Sequence, residues 1–194
     1  HGIILAKSIP AKKYKVQTGE PITDALKKCP NLVLVPSRHG IYREYSRAFI
    51  SILERYSDAI EQCSIDECFV DMTGTEKLFG PPVEAATRIK DEIYRELGFT
   101  VNVGISTNKL LAKMASDFKK PNLVHTLFPN EIPDKMWGLP VGDLFLVGKS
   151  TERTLHTLGI HTIGELARTD PQILRGALKK QGEAIWKFAN GEGA

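Results

Sequence analysis

Strand-like patterns end at about residue 130, and that boundary limits what this chain can fold into. Between residues 38 and 127 the patterns run helix, strand, strand, helix, strand, helix, strand. Ile41, Tyr45, Ala48, Phe49, Ile52, Leu53 and Tyr56 recur at helical spacing, as do Val83, Ala86, Ile89, Ile93, Tyr94 and Leu97 up to Gly98. "AIEQCS" and "CFVDMTG" flank a turn and predict a β-hairpin. In "FTVNVGIS" (99–106) Val101, Val103 and Ile105 alternate as a strand requires; "TNKLLAKMASDF" predicts a helix that Thr107 or Asn108 can cap, and "LVHTLF" a further strand. This order predicts an α+β domain, ferredoxin-like, with an antiparallel sheet and helices on one face. Beyond "LFPNEIPDKMWGLP" only short helical pieces between glycine turns remain, which predicts an all-α module. Ahead of residue 38, "HGIILAKS" reads as an apolar strand-like run, "PAKKYK" and "PITDALKKCP" as short helices, and "LVLVP" (32–36) as a buried strand.

Composition excludes some classes. A hydrophobic content of 42% with 25% charged residues is that of a soluble globular protein. No apolar run approaches a membrane span and no signal-peptide pattern opens the chain. Three cysteines, Cys29, Cys63 and Cys68, form no CxxC pair, so a reducing cytoplasmic setting is expected rather than a disulfide framework or a zinc site. The net charge of +3 is uneven. Residues 1–28 hold six lysines against Glu20 and Asp24, and 103–125 hold Lys109, Lys113, Lys119 and Lys120 against Asp117 alone. Such a distribution permits polyanion binding without requiring it. The opening run has no start methionine and no turn signal before it, so it reads as the inside of a domain and a longer parent protein is expected.

Three motifs bear on chemistry. "VGKST" is not a phosphate-binding P-loop, because position 143 is Asp where a glycine is needed, Gly142 is one residue too far, and no parallel α/β unit precedes it. "LVGKSTERTLHTLG" followed by "IHTIGELA" instead has the spacing of a helix-hairpin-helix, whose turn amides grip a DNA phosphate; Gly148, Lys149 and Ser150 would make that contact. Leu146 stands where such hairpins carry their first glycine, and an ordinary glycine-capped helical hairpin is the alternative. The third motif is the adjacent Asp66–Glu67 pair at the predicted hairpin turn. Two neighbouring carboxylates repel, which either solvent or a divalent cation can relieve. Two are too few for a two-metal site, and Asp71 cannot complete it: five residues of strand span about 16 Å.

"YREYSRAFISILERYSDAIEQCSIDECFVDMTGTEKLFG", "VNVGISTNKLLAKMASDFKKPN" and "LPVGDLFLVGKSTERTLHTLGIHTIGELA" together resemble the Y-family (translesion) DNA polymerases of the UmuC/DinB type, collinearly over essentially the whole chain. The resemblance implies a partial small fingers segment at 1–37, a palm lacking its first strand at 38–127 and a helical thumb at 128–194, with the little-finger domain absent. It implies that Asp66 and Glu67 are the catalytic, metal-binding pair for two Mg²⁺ ions, with a third protein ligand and the sugar gate expected upstream of this chain. Lys120, before Pro-Asn, would contact the incoming triphosphate. Lys12 in "IPAKK" would stand in for the basic residue of the fingers motif, with Ile9 replacing its usual tyrosine.

The implied activity is template-directed, error-prone DNA synthesis by two-metal nucleotidyl transfer in the longer protein, with this piece inactive alone. The implied partners are primer–template DNA, deoxynucleoside triphosphates and, through a C-terminal part, a sliding clamp. A non-catalytic DNA-binding scaffold on the same fold is the alternative. A nucleotidyl cyclase on a similar palm fits the DNA-gripping thumb less well.

Overall fold

The computed structural model describes residues 2–193, and the chain divides into two units, one ending at Gly40 and one beginning at Ile41. In the N-terminal unit α1 (Ile9–Lys12) starts where the Ser8 hydroxyl accepts the Ala11 N–H at 3.2 Å, with Pro10 in the first turn. Pro21 precedes α2 (Ile22–Lys28). Ile4, Val16, Ala25 and Cys29 form a small core of their own. The expected strand at 32–36 is absent: that segment has no regular structure, and Val33 and Val35 are 82% and 74% exposed. The opening run likewise yields only a single bridge between Ile3 and Pro21. β-prone residues make a strand only when an edge pairs with them, and among the described residues none pairs with 32–36.

The second unit begins on α3 (His39–Glu54), then β1 (Ile60–Gln62), β2 (Cys68–Val70), α4 (Glu76–Phe79) and α5 (Pro82–Leu97). The helical spacing of the apolar residues places Ile52, Leu53 and Tyr56 of the α3 segment against Ile89 and Ile93 of α5, and Ile60, Cys68 and Val70 of the hairpin cover them. Gly98 ends α5 in the left-handed conformation (φ 77°). β1 and β2 pair antiparallel, Ile60 opposite Val70 and Gln62 opposite Cys68.

The second ladder departs from the wholly antiparallel sheet the pattern order suggests. β3 (Val103–Ile105) and β4 (Val124–Thr126) pair in parallel, Val103 opposite Val124 and Ile105 opposite Thr126. The cause is α6 (Lys109–Ser116), which carries the chain back so that both strands start at the same end. Its N-terminus is set by Asn108, whose side chain accepts the Leu111 N–H at 2.9 Å. α6 lies so close on β3 that a Cβ at Gly104 would run into the Ala112 carbonyl and the Ser116 N–H.

From residue 129 the unit is helical: α7 (Ile132–Lys135), α8 (Lys149–Thr157), α9 (Ile163–Ala167), α10 (Pro171–Leu178) and α11 (Lys180–Ala189). Thr162 and Asp170 cap α9 and α10 through side-chain acceptors. Their core, including Met136, Leu155, Ile163, Leu174 and Ile185, is continuous with Leu111, Met114 and Ala115 of α6. Among the described residues no helix is long and apolar enough to cross a membrane.

Candidate active site

The acid pair closes the β1–β2 hairpin. The Cys63 and Ser64 N–H groups both donate to the Glu67 carbonyl, at 3.0 and 3.2 Å, which turns the chain tightly and leaves Asp66 and Glu67 on its rim. The Ser64 hydroxyl donates to Asp66 Oδ1 at 2.9 Å. Beneath the turn, Ser46 of α3 donates to the Ile65 carbonyl at 2.6 Å, and Gln62 Nε2 donates to Ser46 Oγ at 3.1 Å and to the Ser64 carbonyl at 3.0 Å. Ser46 is buried, so this tie works where water competes little. Sequence reasoning missed both supporting residues. The available signal was a lone polar residue, Ser46, beside the apolar stripe of α3.

A groove of about 1850 Å³ runs between the two ladders, and Asp66, Glu67, Lys113, Asp117 and Lys120 all line it. Glu67 forms an ion pair with Lys113 of α6, and Glu61 forms one with Lys109, a turn earlier on the same helix. Lys113 also approaches Asp117 Oδ2 at 3.6 Å, while Lys120 holds Asp117 Oδ1 at 3.2 Å. Partial burial, the largest influence on the Lys113 ammonium, pulls its pKa down; the hydrogen bonds and charges of Glu67 and Asp117 together outweigh it and leave the pKa above the ordinary lysine value.

Asp71 also lines the groove, but its carboxylate is taken up by its own turn. It accepts the Thr73 hydroxyl at 2.6 Å and the Thr73 N–H at 3.0 Å, and these bonds hold it below the usual carboxylate range. The neighbouring Cys68 thiol makes a poor ligand: burial, helped by Cys63, pushes it up to about 11. Among the described residues no group of three or more His, Cys, Asp or Glu side chains could hold a metal ion. The donors present therefore fit part of a Mg²⁺ site. Two carboxylates at a groove mouth, one already neutralised by an ammonium, suit a hard cation that takes its remaining oxygens from phosphate, water or further protein groups.

The residues marked out by sequence are thus partly brought together. Asp66, Glu67 and Lys120 share the groove, whereas Lys12 closes α1 in the N-terminal unit. Gly148, Lys149 and Ser150 begin α8 and do not line the groove. Gly148 is an extended N-cap with no side-chain cap, which leaves the first amides of α8 facing outward from a nine-residue helix. Leu146 takes the conformation of the glycine it replaces, with φ 72°.

The chain is similar to known proteins. DNA polymerase IV of Clostridium acetobutylicum is 53% identical over 191 residues, covering 98% of this chain and 48% of that protein. Among solved structures, DinB from Sulfolobus solfataricus matches with a TM-score of 0.83 at 32% identity, covering 94% of this chain and 54% of that one. The insertion ternary complex of Dbh DNA polymerase matches at 0.85 and 31%, with coverage of 96% and 55%. The fold is that of a Y-family DNA polymerase, α+β with a helical hairpin module. The chain belongs to the impB/mucB/samB family, whose model matches residues 1–117, and the family's HHH motif follows at 129–160. It spans about half the length of the curated relatives it matches.

Proposed function

We propose that this chain supplies the palm, part of the fingers and the thumb of a translesion DNA polymerase, in which Asp66 and Glu67 bind the catalytic Mg²⁺ ions. The observation that carries the reading is the convergence of the acid pair and Lys120 on one groove. Bound Mg²⁺ would neutralise charge developing at the α-phosphate and favour ionisation of the primer 3′-OH. Asp66 and Glu67 hold their carboxylates at the groove mouth through the Ser64 bond and the tight turn. Lys120 steadies the triphosphate, and Lys12 of the N-terminal unit is a phosphate contact in its own right. The first amides of α8, with Lys149, take a DNA backbone phosphate, a contact that weakens with salt. The third metal ligand comes from a strand upstream of this chain. In support, β2 and β3 each pair on one side only among the described residues, and the groove lies between their ladders.

The longer protein also takes primer–template DNA and deoxynucleoside triphosphates as substrates, and a sliding clamp as a partner through its C-terminal part. Primer extension by the longest reading frame that carries this chain, with Mg²⁺ on intact and abasic templates, tests the reading. Extension is expected, and Asp66→Ala and Glu67→Ala are each expected to lower it by more than 100-fold. A protein that binds DNA but adds no nucleotide would make it a non-catalytic scaffold.

A further inference from the structure

Charges alternate along one line of the groove: Glu67, Lys113, Asp117, Lys120. Its two ends are the groups proposed to hold the metal and the triphosphate, and any role for the middle two rests on that proposed function, which leaves them unused. Lys113 is the least exposed of the four, its side chain 28% accessible against 61% for Lys120, and it reaches both carboxylates at once. Asp117 divides its oxygens, Oδ2 toward Lys113 and Oδ1 toward Lys120.

We propose that Lys113 and Asp117 are positioning residues that couple the cation site to the triphosphate site. In the metal-free chain Lys113 is the resident cation of Glu67 and relieves the repulsion between Glu67 and Asp66. A divalent ion arriving at the acid pair competes with Lys113 for the Glu67 carboxylate. Displaced from Glu67, Lys113 retains one partner, Asp117, and draws closer to it. Asp117, more fully neutralised, holds Lys120 less tightly, and Lys120 is freed for a polyphosphate. The reverse order works equally: a triphosphate that takes Lys120 leaves Asp117 to Lys113, which loosens Lys113 from Glu67 and opens it to the ion. Coupling of this kind is reciprocal. With these side chains partly in water it belongs at the low end of allosteric couplings, about 5-fold.

The test uses the longest reading frame, without primer–template, so that nothing turns over. Mn²⁺ binding is followed by electron paramagnetic resonance, and binding of a non-hydrolysable deoxynucleoside triphosphate analogue by calorimetry. Lys113→Met is expected to tighten Mn²⁺ binding about 5-fold, Lys113→Arg to restore the wild-type value, and Lys109→Met, an equal charge change on the same helix, to have a smaller effect. In Asp117→Asn the factor by which Mn²⁺ improves analogue affinity is expected to fall by a similar amount. Lys113→Gln, with thermal melts of each variant, separates these effects from misfolding. If Mn²⁺ binding is lost in Asp66→Ala but unchanged in both Lys113→Met and Lys113→Gln, the coupling is overturned and the metal site stands. If Asp66→Ala and Glu67→Ala leave Mn²⁺ binding intact, both fail together.

Discussion

Leu146 holds a backbone conformation in which an L-residue's Cβ crowds the following carbonyl, at a cost of about 1–2 kcal/mol. Its side chain is half-exposed at 52%, so little burial offsets that cost; the Gln181 side chain donates to its carbonyl at 3.3 Å. Leu146→Gly is expected to raise stability by about 1 kcal/mol, seen as a higher denaturation midpoint with an unchanged slope. No gain would mean that the leucine packs better than its exposure indicates. The same position shows how far single residues can be read. Leu146 was legible as standing at a glycine position, because the surrounding "VGKST" spacing fixes the turn. Asp66 and Glu67 were legible as an adjacent carboxylate pair, and Lys120 only through the resemblance. Ser46 and Gln62 were not, since a short hydrogen bond under a turn leaves no periodic trace. Nor was the pairing of Lys113 with Glu67, which depends on how closely α6 approaches the hairpin.

Between elements, closeness is set by absences of atoms as much as by contacts. Gly104→Ala would place a methyl group into the backbone of α6 at Ala112 and Ser116, where no rotamer change gives relief. A loss of about 1–3 kcal/mol is expected from chemical denaturation, with a matching shift of the α6 lysines away from the acids. α3 and α5 are fastened differently. Tyr56 donates to Glu92, and Arg55 pairs with Glu92 and Glu96. The Tyr56 bond leads the causes that hold Glu92 below the ordinary glutamate range, so the stability it brings is complete above that range and drains away as acid protonates the carboxylate. Burial first, then Glu92, pushes Tyr56 up to about 12; its contribution is complete below an unfolded tyrosine's value of about 10 and fades as pH rises through 12. Tyr56→Phe should therefore flatten the pH–stability profile at both its acid and alkaline ends, and a profile unchanged at either would rule the clasp out. Periodicity made α3, α5 and α6 legible. It carries no information on strand direction, so the parallel β3–β4 ladder had to come from the return path of α6, and "LVLVP" looked like a strand only because a sequence does not display the missing partner.

Across the molecule, the distribution of carboxylates governs what these residues can do alone. With Asp66 and Glu67 the one adjacent carboxylate pair among the described residues that line the groove, and no three-ligand group among the described residues, this chain by itself is expected to extend a primer at less than about a hundredth of the rate of the longer protein. Robust synthesis by the 194 residues would show that the two carboxylates suffice. The helical C-terminal stretch shares its core with α6, and Asn108 Nδ2 donates to the Gly191 carbonyl at 2.9 Å, tying the start of α6 to the end of α11. One face of α6 is therefore spoken for by that core, through Leu111, Met114 and Ala115, while Lys109 and Lys113 answer to the hairpin acids. Natural variation on this helix is doubly constrained as a result. A lineage that repacks its C-terminal helices must also keep two ammonium groups in register with two carboxylates, so drift in the one region is inherited as a test of the other.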